Sequence, residues 1–131
     1  MSNYTGRGNN AGPASDFFPL SGSTASSPVI LITATVGGAG TTIHTADQFA
    51  QDVPIIYVAN VGGVASAVAY LQMGSTSTTL SIPLAIATSS YNLIQPGTPI
   101  SKLGVVGIWS TQISGTFAAY GGVTRTYTAT A

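Results

Sequence analysis

The chain of 131 residues suffices for one domain with its own core, yet it carries only three Lys plus Arg, three Asp and no cysteine. Charged residues make up 5% of it, against roughly a quarter in an ordinary soluble domain. With Arg7, Lys102 and Arg125 as its cations the chain is expected to bind no nucleic acid, since such affinity needs several phosphates neutralised at once. Without cysteine there are no disulfide staples and no thiolate metal sites. The exterior must then be Ser, Thr, Asn, Gln and Gly, whose hydroxyl and amide groups can be re-paired across an interface far more cheaply than charges can be buried. That composition suits a chain built for extensive contacts.

In chain order, MSNYTGRGNN has no apolar run and predicts no secretory signal. Residues 1–27 are dominated by Gly, Asn, Ser, Thr, Ala and Pro and read as an N-terminal arm, flexible or draped over a partner, ahead of a domain over 28–131. Tyr4, Phe17, Phe18 and Leu20 are apolar anchors spaced along it; with Arg7, and with Tyr120 far downstream, they are the expected interface residues.

Strand signals then follow one another. Residues 29–36 are a β-branched run that stops at the glycines of 37–40, and residues 41–45 form a second short candidate. Residues 47–52 suit a helical turn or an irregular loop. Residues 53–60 are apolar enough for a central strand buried on both faces. Gly62-Gly63 offers the positive φ of a tight turn, so residues 64–73 are expected to return as the second arm of a hairpin, with Ala65, Ala67, Ala69, Leu71 and Met73 on one face. Alternation over 78–82 ends at Pro83, mixed polarity follows to Ile94, and Gln95-Pro96-Gly97-Thr98-Pro99 is a turn.

Residues 102–109 and 116–127 make the last pair, the latter placing Phe117, Ala119, Gly121 and Val123 inward. From 53 to 101 there is no charge, but Pro54, Asn60, Gln72 and many Ser and Thr break that stretch into strand-length pieces, so no membrane span is expected. The fold class is therefore all-β: an antiparallel two-sheet sandwich of about eight strands, the jelly roll being one form of it.

Titratable groups are few. His44 is the sole histidine, and His44, Asp47 and Asp52 share one neighbourhood of sequence. A Ser/His/Asp set could be drawn from them, but no Gly-x-Ser-x-Gly elbow accompanies it and serine is abundant throughout. A zinc site lacks ligands, and calcium would have Asp47, Asp52 and carbonyls. The Gly37-to-Thr42 loop lacks the lysine and helix of a phosphate-binding loop. No catalytic residue, metal or cofactor is expected, and the chain is read as a non-enzyme. Trp109, Tyr91, Tyr120 and Tyr127 could stack on sugars; their ordinary reading is core for Trp109 and interface or rim for the tyrosines. Lys102 and Arg125 are read as solvated or paired with an acid.

Thr42-Ile43-His44-Thr45-Ala46, Ile56-Tyr57-Val58-Ala59-Asn60-Val61-Gly62, Gln95-Pro96-Gly97-Thr98-Pro99-Ile100, Ile108-Trp109-Ser110 and Tyr120-Gly121-Gly122-Val123-Thr124-Arg125 follow a recognisable cadence. Over residues 41–126 the chain resembles small bacteriophage virion proteins of β-sandwich type. That resemblance implies a structural role within a virion assembled in the host cytoplasm. Its first form is a capsid decoration or cement protein, a homo-oligomer with a trimer favoured, partnered by the major capsid protein and other virion proteins. A neck, tail or fibre component, a glycan-binding receptor module, and a shell-forming coat or tail-tube subunit are its other forms.

Overall fold

The computed structural model describes residues 17–37, 40–65, 67–74 and 81–127, which form nine strands and no helix. They are β1 (Phe17–Pro19), β2 (Ile30–Leu31), β3 (Thr41–Thr45), β4 (Ala50–Asn60), β5 (Ala67–Met73), β6 (Ile82–Ile86), β7 (Tyr91–Ile94), β8 (Val105–Trp109) and β9 (Phe117–Tyr127). Every pairing between them is antiparallel. One sheet runs β1-β9-β4-β7, with β2 also against β9, and the other runs β3-β8-β5-β6. The chain thus alternates between sheets from β2 to β5 and again from β6 to β9, folding β2 on β9, β3 on β8, β4 on β7 and β5 on β6. This is the strand order of a jelly roll.

The spine of the first sheet is the pair β4 and β9, in register over eleven residues from Ala50↔Tyr127 to Asn60↔Phe117. Burial along β4 alternates strictly, with Ala50, Asp52, Pro54, Ile56, Val58 and Asn60 facing the second sheet. Pro54 is tolerated in this inner strand because β7 pairs only residues 56–59 of β4, which leaves its missing N–H without a ladder partner to lose. Facing it, β5 turns Ala67, Ala69, Leu71 and Met73 inward. Ile56, Val58, Phe117 and Val123 from one sheet and Ile43, Leu71, Ile86 and Ile108 from the other form one core.

The expected sandwich is present, and five local expectations are corrected. Phe17 to Ser27, expected within the arm, belong to the sandwich. β1 pairs with β9, Gly22 N–H donates to Ile43 O at 2.9 Å, and Leu20 is a fully buried core residue rather than an interface anchor. The remaining arm residues, Tyr4 and Arg7 included, lie outside the described ones. β4 and β5 are not a hairpin, because they lie in different sheets. The residues after β4 are tied to the start of β9 instead, where Val61 and Gly62 N–H both donate to Thr116 O at 2.9 and 3.0 Å. Residues 102–127 likewise split between sheets, β8 in one and β9 in the other. Finally, Pro83 sits inside edge strand β6 rather than ending a strand, and the strand expected over 29–36 pairs only at Ile30 and Leu31.

Candidate functional site

Asp52 and Arg125 are direct cross-strand partners on the inner face of β4 and β9. Arg125 donates from Nε to Asp52 Oδ1 at 2.8 Å and from Nη2 to Oδ2 at 3.1 Å, a two-pronged pair that a lysine would not reproduce. His44 reaches the same carboxylate from the opposite sheet, Nε2 to Oδ2 at 2.7 Å. A bulge between Thr42 and His44 makes this possible, because the extra residue lets both Ile43 and His44 face the interior. The Ser21 backbone N–H donates to His44 Nδ1 at 3.0 Å. A backbone N–H can only donate, so Nδ1 accepts and the ring is the neutral tautomer with its proton on Nε2, donated to Asp52.

Asp47 completes the cluster, its N–H donating to Asp52 Oδ2 at 3.3 Å and its Oδ1 lying 3.8 Å from Arg125 Nη1. The guanidinium also sits 4.2 Å above the centre of the Phe18 ring. Burial by itself would raise the Asp52 pKa, but hydrogen bonds from Arg125 and His44 outweigh it and hold the carboxyl below its ordinary value. Arg125 is pushed up, chiefly by its hydrogen bond to Asp52.

Chemically this cluster is a fastener between the sheets. His44 and Asp52 are wholly buried, both ring nitrogens are engaged and both Asp52 carboxylate oxygens accept hydrogen bonds, so the interactions of this pair are spent within the fold. Among the described residues no group of three or more His, Cys, Asp or Glu is placed to hold a metal ion. The sequence neighbourhood of His44, Asp47 and Asp52 is one site, and Arg125, 73 residues from Asp52, is the partner that only the strand order brings in.

The outer face of the five-stranded sheet is different in kind. Across it, Phe17 faces Thr124 and Val53, Pro19 faces Gly122 and Ile55, and Tyr120 faces Tyr57 and Leu93. Tyr57 stacks on Tyr120 at 4.9 Å and 11°, and Tyr91 leans on Tyr57 at 5.5 Å and 53°. Phe17 is 55% exposed, Leu31 52%, Tyr91 62%, Leu93 47% and Tyr120 45%. These are large apolar groups on one contiguous face, with no charged residue among them. Of the residues expected at an interface, Phe17 and Tyr120 stand here, while Phe18 points inward under Arg125.

The outer face of the second sheet carries Tyr70 stacked on Trp109 at 4.3 Å and 16°, with Trp109 Nε1–H donating to Ser81 Oγ at 3.2 Å. Trp109 is therefore half-buried on an outer face and not in the core. Beside this pair on β5, Gln72 is fully buried and neither its Oε1 nor its Nε2 has a hydrogen-bond partner among the described residues. Nothing in the local pattern, which alternates cleanly, announces that orphaned amide.

A scan against protein-family models, a search of curated proteins and a search of solved structures find no match to the chain.

Proposed function

We propose that the protein is a non-enzymatic structural subunit of a phage particle, a decoration protein seated on the major protein of the head. The observation that carries this reading is the contiguous apolar outer face of the β1-β9-β4-β7 sheet, on a chain whose exterior is almost without charge. A face of that kind loses little on desolvation and gains on burial, and repetition by particle symmetry turns many modest contacts into firm attachment. The jelly roll is a recurrent fold of viral capsid proteins, which supports the reading by analogy. So does the resemblance over residues 41–126.

The test is to add the purified chain back to particles depleted of it. Saturable rebinding that restores resistance to heat and low salt is the expected result. Tyr120→Lys, which places a charge at the centre of the face, is expected to fold normally and fail to rebind. A chain that stays monomeric, with particles equally resistant with and without it, overturns the proposal.

A further inference from the structure

An open sheet ends in edges whose unpaired N–H and C=O groups invite another strand, and three of the four edges of this sandwich are blunted against it. β1 and β2 share one edge in pieces of three and two residues, the first ending at Pro19. β3 is broken by its bulge and covered by the segment after β1, where Gly22 N–H donates to Ile43 O at 2.9 Å and Ser21 Oγ accepts Thr45 N–H at 2.8 Å. On the other side of that sheet Gly74 N–H donates to Val105 O at 2.7 Å, so by alternation Gln72 and Tyr70 make their backbone bonds to β8. Pro83, opposite Tyr70, therefore turns its missing N–H to the free edge of β6.

β7 has none of these devices. Tyr91–Ile94 pairs with residues 56–59 of β4 without a bulge and contains neither proline nor charge. Asn60 N–H donates to Ser90 O at 3.0 Å, which fixes the phase of the ladder: Asn92 and Ile94 bond to Val58 and Ile56, and the N–H and C=O of Tyr91 and Leu93 point away from β4. The far side of β4 agrees, because Val61 N–H donates to Thr116 O at 2.9 Å and the same alternation gives Ala59 and Tyr57 to β9. Among the described residues no strand lies against those outward groups of β7.

We propose that a second copy of this chain covers this edge, β7 pairing antiparallel with its counterpart across a two-fold axis at Asn92. In that register Tyr91 stands opposite Leu93 of the second copy and Leu93 opposite its Tyr91, and the two pairs exchange four backbone hydrogen bonds. Both side chains lie on the outer face, Tyr91 62% and Leu93 47% exposed, so each pair also brings an aromatic ring against a leucine. No charge of either strand is set opposite another. The pairing is made in the plane of the sheet, which leaves the outward faces of these side chains to the particle contact proposed above and makes the inference independent of it. An edge of four residues, about 14 Å long, buries less than the roughly 800 Å² per partner of a standard interface. The free dimer is therefore weak.

Sedimentation equilibrium and backbone amide exchange on the full chain, at about 0.02 and 2 mM, test this. A monomer–dimer equilibrium with a dissociation constant of about 0.1–1 mM is expected. The amides of Tyr91 and Leu93 should gain protection at the higher concentration, while those of Asn92 and Ile94, already in the ladder, should not change. Leu93→Pro removes an outward donor and no ladder bond, so it should leave the melting temperature near wild type and raise the dissociation constant at least about tenfold. Tyr91→Lys and Leu93→Asp should each weaken association, and an equimolar mixture should restore it, because the register sets the new ammonium opposite the new carboxylate. A chain that is monomeric at the higher concentration overturns the proposal. So does equal protection of Tyr91 and Leu93 at both concentrations, which puts another part of the same chain on the edge. A mixture no tighter than its components overturns it as well.

Discussion

Replacing Asp52 by Asn isolates what the buried cluster contributes. The carboxylate receives two hydrogen bonds from Arg125 and one from His44, and its charge is what compensates the guanidinium. An asparagine can still accept from His44 Nε2–H, but it leaves Arg125 as an inner-face cation whose side chain is only 13% exposed. Breaking a buried pair from one side costs about 3–5 kcal/mol. Asp47, 3.8 Å from Nη1, can take up part of the stranded charge, which places the expected loss near the lower end, about 3 kcal/mol. Urea unfolding followed by Trp109 fluorescence measures it. The double variant Asp52→Asn with Arg125→Met keeps an unbranched stem over Phe18 and strands no cation, so it should be more stable than Asp52→Asn alone.

The pH dependence has a definite sign. The folded-state pKa of Asp52 lies below its ordinary value of 3.8, so the unfolded chain binds this proton first as pH falls. The stabilisation is complete above about pH 4–5 and lost as pH drops through the folded value. The groups facing this carboxyl are His44 from β3, Asp47 from the β3–β4 connection and Arg125 from β9. Wild type and Asp52→Asn should therefore differ at pH 7 and converge in strong acid. A single variant within 1 kcal/mol of wild type at pH 7, or a double variant less stable than the single, would refute the fastening role.

Further outcomes follow from other parts of the sandwich. Gly121 lies on the β9 strand at φ 147°, and a Cβ there would stand 2.1 Å from Ile55 O, backbone that cannot step aside. Gly121→Ala should thus lose at least about 4 kcal/mol or fail to fold, as read by chemical denaturation or by soluble yield. Gln72→Met removes a buried amide with no partner while keeping its length, and should raise stability by about 1–2 kcal/mol in the same urea assay. Since no charge lies among the described residues of the outer face of the five-stranded sheet, rebinding to particles should be insensitive to sodium chloride and strengthened by ammonium sulfate. Steep weakening with salt would place the attachment on charged residues instead.

The sequence made the strands legible wherever local chemistry decided them. The period-2 pattern of 64–73 separated the two faces of β5 without saying which is inward, and the inward set of β9, Phe117, Ala119, Gly121 and Val123, was readable because one face of that strand is packed and the other is not. Strand partnership was not legible. Gly62-Gly63 has the residues of a tight turn, and Gly63 does adopt φ 75°, but a positive φ serves a hairpin and a crossing between sheets equally well. What decides is that β4 pairs with β7 and β9, contacts made across long stretches of chain. The same gap hid the cluster. Asp47 and Asp52 were visible beside His44, whereas Arg125 joins them only through the β4–β9 register, and the inward turn of His44 depends on a bulge that two threonines flanking an isoleucine and a histidine do not signal.

The distribution of charge gives the low charge count its structural meaning. Among the described residues the charged side chains are Asp47, Asp52, Lys102 and Arg125, and three of these form one fastener between the sheets. Lys102 alone stands apart from it, in the exposed turn before β8. The scarcity therefore affects the described exterior even more than the composition suggests, because three of the four described charges are turned to holding the fold. Asn60 extends the same logic to the far end of β4, where its amide reaches Ile86 of the opposite sheet. One strand thus ties the two sheets at both ends with polar groups and fills the space between with Ile56 and Val58. With the sheets fastened from within, the outer face of the five-stranded sheet is free to be apolar without weakening the domain. A face that contributes little to holding its own fold is the one available for contacts with another molecule.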